Sequence, residues 1–293
     1  MAKINNKKVL ILGSSGMLGS MVSNYLITNP RLNVNCTQRK ENFNTIIFDA
    51  ENPDFEVINS NYDYIVNCIG LIKPLINDFN RDDIKKAIKI NSLFPTLLSE
   101  NFSNKKTKII QIATDCVYSG NKGQYSETDK HDALDVYGKT KSLGEVNAEN
   151  FYNIRCSIIG PEYNKKISLL EWFLKQETKS ELNGYTNHFW NGVTTLHFAK
   201  LLETIIIEDI ELPNTIHFLP RNIVSKYDLL KIFSKVHNKP HTINKSETEP
   251  GINRTLATEK TELTNMLWKK MGYEDVPTIE QMVEELSEFS NKK

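Results

Sequence analysis

A short apolar run over residues 9–12 leads directly into a turn that has glycines at positions 13, 16 and 19. A buried strand that opens into a glycine-rich turn and then a helix is typical of nucleotide-binding α/β folds. The backbone amides and the helix N-terminus at such a turn favour a pyrophosphate. The spacing G-x-x-G-x-x-G differs from the general fingerprint G-x-G-x-x-G. Because the glycines follow the first strand at once, they predict a dinucleotide site.

Through the first half of the chain, short β-branched apolar runs alternate with longer amphipathic runs. This is the pattern of parallel strands joined by crossover helices. It predicts strands over residues 8–13, 33–37, 45–49, 62–70, 108–114 and 152–158, and helices over 16–28, 81–101 and 136–150. Six strands in this order indicate an α/β protein with a doubly wound, Rossmann-type parallel sheet.

The rhythm changes after Gly160-Pro161. The second half predicts helices over 166–177, 195–207, 225–236 and 278–290, a strand over 215–219, and a surface connection over 238–254. We therefore expect a dinucleotide-binding domain over residues 1–160 and a smaller, mostly helical substrate-binding lobe over 161–293. Residues from about 192 to 224 are expected to pack back on the first domain.

The charge balance excludes some classes of partner. Lys plus Arg and Asp plus Glu both number 36, so the chain has no electrostatic footprint for a nucleic acid or an anionic membrane. No run approaches the 18 apolar residues of a membrane span, and the first eight residues are polar. We expect a cytoplasmic protein whose partner is a small molecule.

Cysteine and histidine usage does not indicate a metal. The cysteines at 36, 68, 116 and 156 form no CxxC pair, so they are interpreted as reduced structural thiols. The six histidines lack metal-ligand spacing, and Pro240 interrupts any helix between His237 and His241. No metal site is expected.

The end of the second strand normally selects the cofactor. It reads Cys36-Thr37-Gln38-Arg39-Lys40, with no acidic residue before Glu41, so Arg39 is available for a 2′-phosphate and NADPH is favoured over NADH. Arg39 could instead be a solvated loop charge, and Asp49 could either reach an adenine amine or cap a loop. The predicted cofactor contacts are Gly13, Ser15, Gly16, Met17, Leu18, Gly19, Arg39, Asp49, Ile69, Gly70, Tyr137 and Lys141.

Three polar residues are arranged for carbonyl chemistry. Thr114 closes a predicted strand, and the carboxyl ends of strands in an open α/β sheet face the ligand crevice. Tyr137 and Lys141 are spaced i and i+4, so on a helix they share one face and the ammonium can lower the pKa of the phenol. Such a phenol can donate a proton to a substrate oxygen while the Thr114 hydroxyl hydrogen-bonds it.

These motifs together resemble the extended short-chain dehydrogenase/reductase superfamily, and within it the dTDP-4-dehydrorhamnose reductase family. The residues that carry the resemblance are Gly13, Gly16, Gly19, Asn91, Gly144, Glu145 and the segments 63–68, 114–120, 125–127 and 136–141. The resemblance implies that Thr114, Tyr137 and Lys141 are catalytic and that NADPH reduces a nucleotide-linked 4-keto-6-deoxysugar at C4. It implies substrate contacts from Thr114, Asp115, Cys116, Tyr137, Ile158 and Trp190. A homodimer is compatible with the superfamily.

Departures from related enzymes help to choose the reaction. The similar 4,6-dehydratases carry Glu where this chain has Cys116, and a protonated thiol is a poor substitute. The 4-epimerases usually have Ser in place of Thr114, so reduction is favoured. Two alternatives stay open: a sugar-nucleotide epimerase or dehydratase with bound NAD, and a non-catalytic NADP-binding regulatory subunit. Cys116 and Ile158 stand where rhamnose-forming enzymes have Tyr and Trp, which leaves the exact base and sugar open.

Two further features have two interpretations each. Arg155 departs from an apolar strand, and a structural ion pair is favoured there over a substrate contact. Phe189 and Trp190 could stack on a sugar or a base, or pack in a core.

Overall fold

The computed structural model describes residues 6–41, 44–162 and 166–291. The strands are β1 (Lys7–Leu12), β2 (Leu32–Gln38), β3 (Thr45–Ile47), β4 (Tyr64–Asn67), β5 (Lys108–Ala113), β6 (Phe151–Arg155), β7 (Ile158–Ile159), β8 (Glu181–Tyr185), β9 (His188–Trp190), β10 (Val193–Thr194), β11 (Thr215–His217), β12 (Val224–Ser225), β13 (Thr242–Ser246) and β14 (Ile252–Asn253). The helices are α1 (Met17–Leu26), α2 (Arg81–Ala87), α3 (Phe94–Phe102), α4 (Val136–Leu143), α5 (Leu169–Lys175), α6 (Thr195–Glu208), α7 (Lys226–Val236), α8 (Thr261–Lys270) and α9 (Ile279–Asn291).

A seven-stranded parallel sheet lies at the centre, in the order β11-β6-β5-β4-β1-β2-β3. The strand order reverses between β1 and β4, which is the topological switch point where doubly wound sheets bind ligands. The predicted Rossmann-type α/β class is therefore confirmed. The seventh strand, β11, comes from the second half of the chain.

Both faces of the sheet are buried, as expected when crossover helices cover a parallel sheet. Successive residues of β1 alternate between two cores: Val9 and Ile11 pack with α1 and α6, whereas Leu10 and Leu12 pack with α3. This period of two follows from the pleat of the strand. The cores fix β1, and with it the turn that follows.

The second half contributes to the central sheet and to smaller sheets. Strand β11 pairs with β6, and α6 contacts α1. The smaller sheets are β10-β7, β12-β9-β14 and β13-β8. The surface connection predicted over 238–254 is wrong where β13 and β14 form, because β13 pairs with β8 and β14 with β9. Helix α8 was not predicted.

Two predicted helices are interrupted. The helix predicted over 136–150 ends at Leu143. Gly144, which follows it, packs closely against Asn91: a Cβ on Gly144 would lie 1.8 Å from the Asn91 carbonyl oxygen. The helix predicted over 81–101 contains a π-helical segment, Ile88–Leu93, between α2 and α3. π-Segments of this kind occur often at functional sites. Along the described part of the chain, no helix has the length and apolar character to cross a membrane.

Candidate active site

The glycine turn closes tightly beneath the start of α1. Gly13 has φ +80°, a conformation that favours glycine, and its N–H donates to Thr37 Oγ1 at 3.1 Å. A Cβ on Gly19 would lie 2.1 Å from the Gly13 carbonyl oxygen, whereas a Cβ on Gly16 would lie 3.5 Å from it. Gly19 therefore permits the close contact of helix and turn that brings the N-terminus of α1 to the ligand crevice.

A cavity of about 1000 Å³ lies at the carboxyl ends of the central strands. It joins most of the residues that the sequence singles out. Those that line it are Ser15, Gly16, Met17, Leu18, Arg39, Ile69, Gly70, Thr114, Asp115, Cys116, Tyr137, Lys141 and Ile158. The predicted cofactor and substrate residues thus share one continuous space.

Four predicted site residues lie outside the lining. Gly13 and Gly19 shape the turn from beneath. Asp49 is exposed and accepts a hydrogen bond from the Glu51 N–H at 3.1 Å, which matches the loop-capping interpretation. Trp190 is buried, and its Nε1 donates to Ser157 Oγ at 2.9 Å, so it packs behind a lining residue.

The cavity also has lining residues that were not predicted. They include Gln38, Lys40, Cys68, Cys156, Ser157, Glu162 and Ser168. Gln38 and Lys40 flank Arg39 at the end of β2, so strand position could have found them. Glu162 follows Pro161 in an irregular segment, and no pattern in the sequence marks it as a site residue.

The three catalytic candidates converge from β5 and α4. Thr114 follows β5, and its Oγ1 accepts from the Cys116 N–H at 3.2 Å. Tyr137 lies in the first turn of α4, which Asp135 caps by accepting from the Gly138 N–H at 2.8 Å. Lys141 lies one turn later, buried, and its Nζ donates to the Ile112 carbonyl oxygen at 3.0 Å.

The electrostatics of Tyr137 differ from the prediction. Burial raises the pKa of the phenol, Cys116 raises it further, and the Thr114 hydroxyl lowers it. The spacing of Tyr137 and Lys141 predicts a phenol with a lowered pKa, whereas the net pKa is raised because desolvation is the largest effect. Burial also lowers the pKa of Lys141 to about 8, against the opposing effect of Glu145. Near neutrality the phenol is therefore protonated and suited to donating a proton.

All four cysteines are free thiols, as predicted, but three of them line the cavity. Burial and the neighbouring Asp115 raise the pKa of Cys116 to about 12. A thiol that stays protonated cannot serve as the base that a dehydratase needs. The structure thus supports the argument that the sequence makes from Cys116.

Arg155 forms the structural ion pair that the sequence favours. Its Nε and Nη2 bind the Glu145 carboxylate at 3.0 and 2.5 Å, and its Nη1 donates to Tyr118 Oη at 2.8 Å. Both side chains of the pair are buried. Because Glu145 follows α4, the pair holds the end of the Tyr137 helix against β6. Asn91 braces the same helix, donating to Thr140 Oγ1 at 3.2 Å.

Nowhere among the described residues do three or more His, Cys, Asp or Glu side chains cluster as metal ligands would. The chemical groups that line the cavity are hydroxyls, a phenol, two lysine ammonium groups, a guanidinium, an amide, two carboxylates and thiols. With the glycine turn at one end, this set fits a dinucleotide cofactor and a carbonyl substrate.

Comparison with known proteins identifies relatives of the kind that the site residues indicate. Residues 7–289 match the family described as the RmlD substrate binding domain. A dTDP-4-dehydrorhamnose reductase of Aggregatibacter actinomycetemcomitans is 30% identical over 142 residues, which cover 47% of this chain and 45% of that protein. The methionine adenosyltransferase 2 subunit beta of Bos taurus is 30% identical over 159 residues, which cover 48% and 42%. The matched region is thus less than half of either relative.

A solved structure matches over nearly the whole chain. The dTDP-4-dehydrorhamnose reductase of Bacillus anthracis in complex with NADP has a TM-score of 0.75 and 17% identity, covering 98% of this chain and 100% of that one. At this identity the likeness shows the shared fold.

Proposed function

The chain belongs to the RmlD substrate binding domain family, and we propose that it reduces a nucleotide-linked 4-keto-6-deoxysugar at C4 with NADPH. The observation that carries the proposal is that Thr114, Tyr137 and Lys141 line the same cavity as the glycine turn. The curated relative named dTDP-4-dehydrorhamnose reductase supports the reaction, and the Bacillus anthracis structure with NADP supports the cofactor.

The residues present fit a dinucleotide. Gly13, Gly16 and Gly19 bring backbone amides to the N-terminus of α1, where they would hold the pyrophosphate. Arg39, with Gln38 and Lys40 beside it, would hold a 2′-phosphate, which is why NADPH is preferred to NADH. A Cβ on Gly70 would lie 4.0 Å from Lys141 Nζ, so the backbone there leaves room beside the lysine.

When bound, reduced nicotinamide supplies the hydride. Tyr137 donates its proton to the carbonyl oxygen, a role suited to a phenol whose pKa is raised by burial. The Thr114 hydroxyl hydrogen-bonds the same oxygen and stabilises the charge that develops on it. Lys141, fixed by its hydrogen bond to the Ile112 carbonyl oxygen, would hold the cofactor ribose. Asp115, Cys116 and Ile158, which line the cavity, would contact the sugar, and Trp190 supports Ser157 from behind.

We also propose a cytoplasmic location, a homodimeric assembly and a division into two domains. NADPH and sugar nucleotides suggest a cytoplasmic protein, and a homodimer is the commonest closed assembly. The division into residues 1–160 and 161–293, with about 192–224 on the first domain, is supported by the pairing of β11 with β6 and the contact of α6 with α1.

A second candidate has one observation in its favour. The similarity to methionine adenosyltransferase 2 subunit beta, a subunit of another enzyme by its name, supports the alternative of a non-catalytic subunit. Such a protein would bind NADPH through the same glycine turn and would turn over no keto sugar.

One experiment separates these functions. The purified protein is incubated with NADPH and a panel of nucleotide-linked 4-keto sugars, and the absorbance of the reduced cofactor is followed. Oxidation with one member of the panel is the expected result. Cofactor binding without oxidation across the whole panel would favour the regulatory role, and purification with tightly bound oxidised NAD would favour an epimerase or dehydratase.

A further inference from the structure

The cavity extends across the carboxyl ends of the strands from β2 to β6. Arg39 lines it just after β2. At the other end, Ala113 in β5 pairs with Arg155 in β6. Thr114 and Cys156, which come next in the chain, therefore leave the sheet side by side, and both line the cavity. The chain that follows β6 thus borders the catalytic end of the cavity, away from Arg39.

This chain contributes a carboxylate, Glu162, that is fixed in the cavity wall by contacts on both sides. Before it, β7 pairs with β10, and Gly160 lies so close to α6 that a Cβ there would be 2.1 Å from Thr195 Oγ1. The Glu162 N–H donates to Glu171 Oε1 at 3.0 Å, which ties the residue to α5. Glu162 is 9% exposed. Its position is therefore set by the fold before a ligand binds.

The Glu162 carboxylate uses one of its oxygens within the described chain. Oε2 accepts from the Ile167 N–H at 2.8 Å and from the Ser168 N–H at 3.1 Å. Oε1 accepts from no described residue, and no described Lys, Arg or His lies within 4.0 Å of the carboxylate. Because carboxylate oxygens accept several hydrogen bonds, a donor that enters the cavity can bind here.

Ser168 places a hydroxyl beside this carboxylate. It is the N-cap residue of α5, where a serine hydroxyl commonly accepts from a backbone N–H, but it makes no such bond here. Its Oγ lies 3.5 Å from the Gly160 carbonyl oxygen, at the outer limit of a hydrogen bond. Since Ser168 also lines the cavity, its hydroxyl is available to a ligand.

We propose that Glu162 and Ser168 determine substrate specificity by binding hydroxyl groups of the sugar ring. The inference rests on the proposed function, because it assigns two further residues to that same site. A carboxylate only accepts hydrogen bonds, so Glu162 selects a sugar with free hydroxyl groups and disfavours one that carries a carboxylate. The serine hydroxyl both donates and accepts, so it can bind a neighbouring hydroxyl of the ring. The substrate class is then a neutral, hydroxyl-bearing sugar nucleotide.

Titration calorimetry with NADPH-saturated protein separates binding of the sugar from binding of the nucleotide. The probes are dTDP, dTDP-glucose and dTDP-glucuronate, together with UDP, UDP-glucose and UDP-glucuronate. The proteins are wild type, Glu162→Gln, Ser168→Ala and the control Glu177→Gln. Glu177 is exposed, lies two residues after α5 and is outside the cavity lining, so the control makes the same charge change away from the site.

The change Glu162→Gln reverses the hydrogen-bonding character of the wall. Its amide oxygen can accept from the two backbone N–H groups, which turns the NH₂ donor toward the cavity. We expect affinity for the glucose-linked probes to fall at least about tenfold in Glu162→Gln and about threefold in Ser168→Ala. The preference for glucose over glucuronate should shrink in Glu162→Gln. Affinities for the nucleoside diphosphates and for NADPH should stay unchanged, and Glu177→Gln should behave as wild type.

Unchanged affinity for the glucose-linked probes in both site variants would overturn the proposal. So would wild-type protein that binds these probes no more tightly than the nucleoside diphosphates. An equal loss for diphosphate and sugar probes would assign the pair to the nucleotide, and a loss of NADPH affinity would assign it to the cofactor; either result contradicts sugar recognition. Because the probes carry no keto group, absence of keto-sugar reduction would contradict the proposed function alone.

Thermal unfolding separates a structural role for Ser168. Because its hydroxyl makes no cap bond, Ser168→Ala should melt at the wild-type temperature. A lower melting temperature with unchanged sugar affinity would make the hydroxyl a helix cap and would overturn the proposed pair.

Discussion

Lys141 Nζ donates a hydrogen bond to the carbonyl oxygen of Ile112, 3.0 Å away. Ile112 lies in β5, two residues before Thr114, so this bond ties the Tyr137 helix to the strand that leads into the Thr114 hydroxyl. The relative position of phenol and hydroxyl is therefore fixed by a helix and a strand rather than by a loop. Sites built on such rigid elements hold their geometry best.

The cost of burying Lys141 should depend on pH. Its pKa is about 8 in the folded protein against an ordinary 10.5, so between these values the unfolded chain binds more protons and stability rises with pH. Below about pH 8 the cost is fully present. The melting temperature of Lys141→Met relative to wild type should therefore be highest at pH 7 and fall as the pH approaches 10.

Loss of the hydrogen bond to Ile112 changes the melting temperature of Lys141→Met by the same amount at every pH. The test is therefore how the difference in melting temperature from wild type varies with pH. Lys139→Met is a suitable control, since Lys139 is an exposed lysine of the same helix. A difference between Lys141→Met and wild type that does not change from pH 7 to pH 10 would contradict the shifted pKa.

The glycine turn offers a matched pair of variants. Gly19→Ala places a methyl 2.1 Å from the Gly13 carbonyl oxygen and should separate α1 from the turn, destabilising the fold by roughly 2 kcal/mol or more and abolishing NADPH binding. In Gly16→Ala the nearest contact is 3.5 Å, so the fold should be retained. Chemical denaturation and cofactor titration measure both effects. Equal losses of stability in the two variants would contradict the packing argument.

Arg39 should decide between the two nicotinamide cofactors. Replacing Arg39 by Gln removes the charge that would hold the 2′-phosphate, so affinity for NADPH should fall by about tenfold while affinity for NADH changes little. Arg31→Gln, at an exposed arginine outside the cavity lining, is the control. Titration of each cofactor gives the ratio. An unchanged ratio in Arg39→Gln would mean that Arg39 is a solvated loop charge.

The Arg155–Glu145 pair should stabilise the fold through its burial. Arg155→Met leaves the Glu145 carboxylate buried without its partner and should cost about 3–5 kcal/mol of unfolding free energy. The double variant with Glu145→Leu should recover part of the loss. Lys235→Met, which breaks a surface pair with Glu280, should leave the denaturation midpoint unchanged. A comparable midpoint for Arg155→Met and wild type would contradict the assignment.

The central sheet was predictable because the inner parts of its strands are buried on both faces and are apolar, as residues 9–12 of β1 and 64–66 of β4 illustrate. In the second half, the strand predicted over 215–219 is found as β11, but most other strands were missed because they are only two to five residues long. Thr242–Ser246, for example, is polar and becomes a strand only by pairing with β8. Such pairing is tertiary and leaves little local pattern.

The candidate site shows the same division between residues that local sequence patterns predict and features that depend on tertiary structure. Thr114, Tyr137 and Lys141 could be placed from strand ends and helical spacing, whereas Glu162 and Ser168 line the cavity from a segment that carries no local pattern of a site. The direction of the Tyr137 pKa was also beyond the sequence. It depends on burial, which i and i+4 spacing does not report.

The most direct test of the account replaces Tyr137 by Phe and measures NADPH oxidation with the best keto sugar of the panel, together with NADPH affinity. We expect turnover to fall by about 10²- to 10⁴-fold, because the proton donor is lost, while cofactor affinity stays within a few-fold of wild type. Turnover in Tyr137→Phe equal to that of wild type would contradict the claim that the phenol in this cavity protonates the substrate.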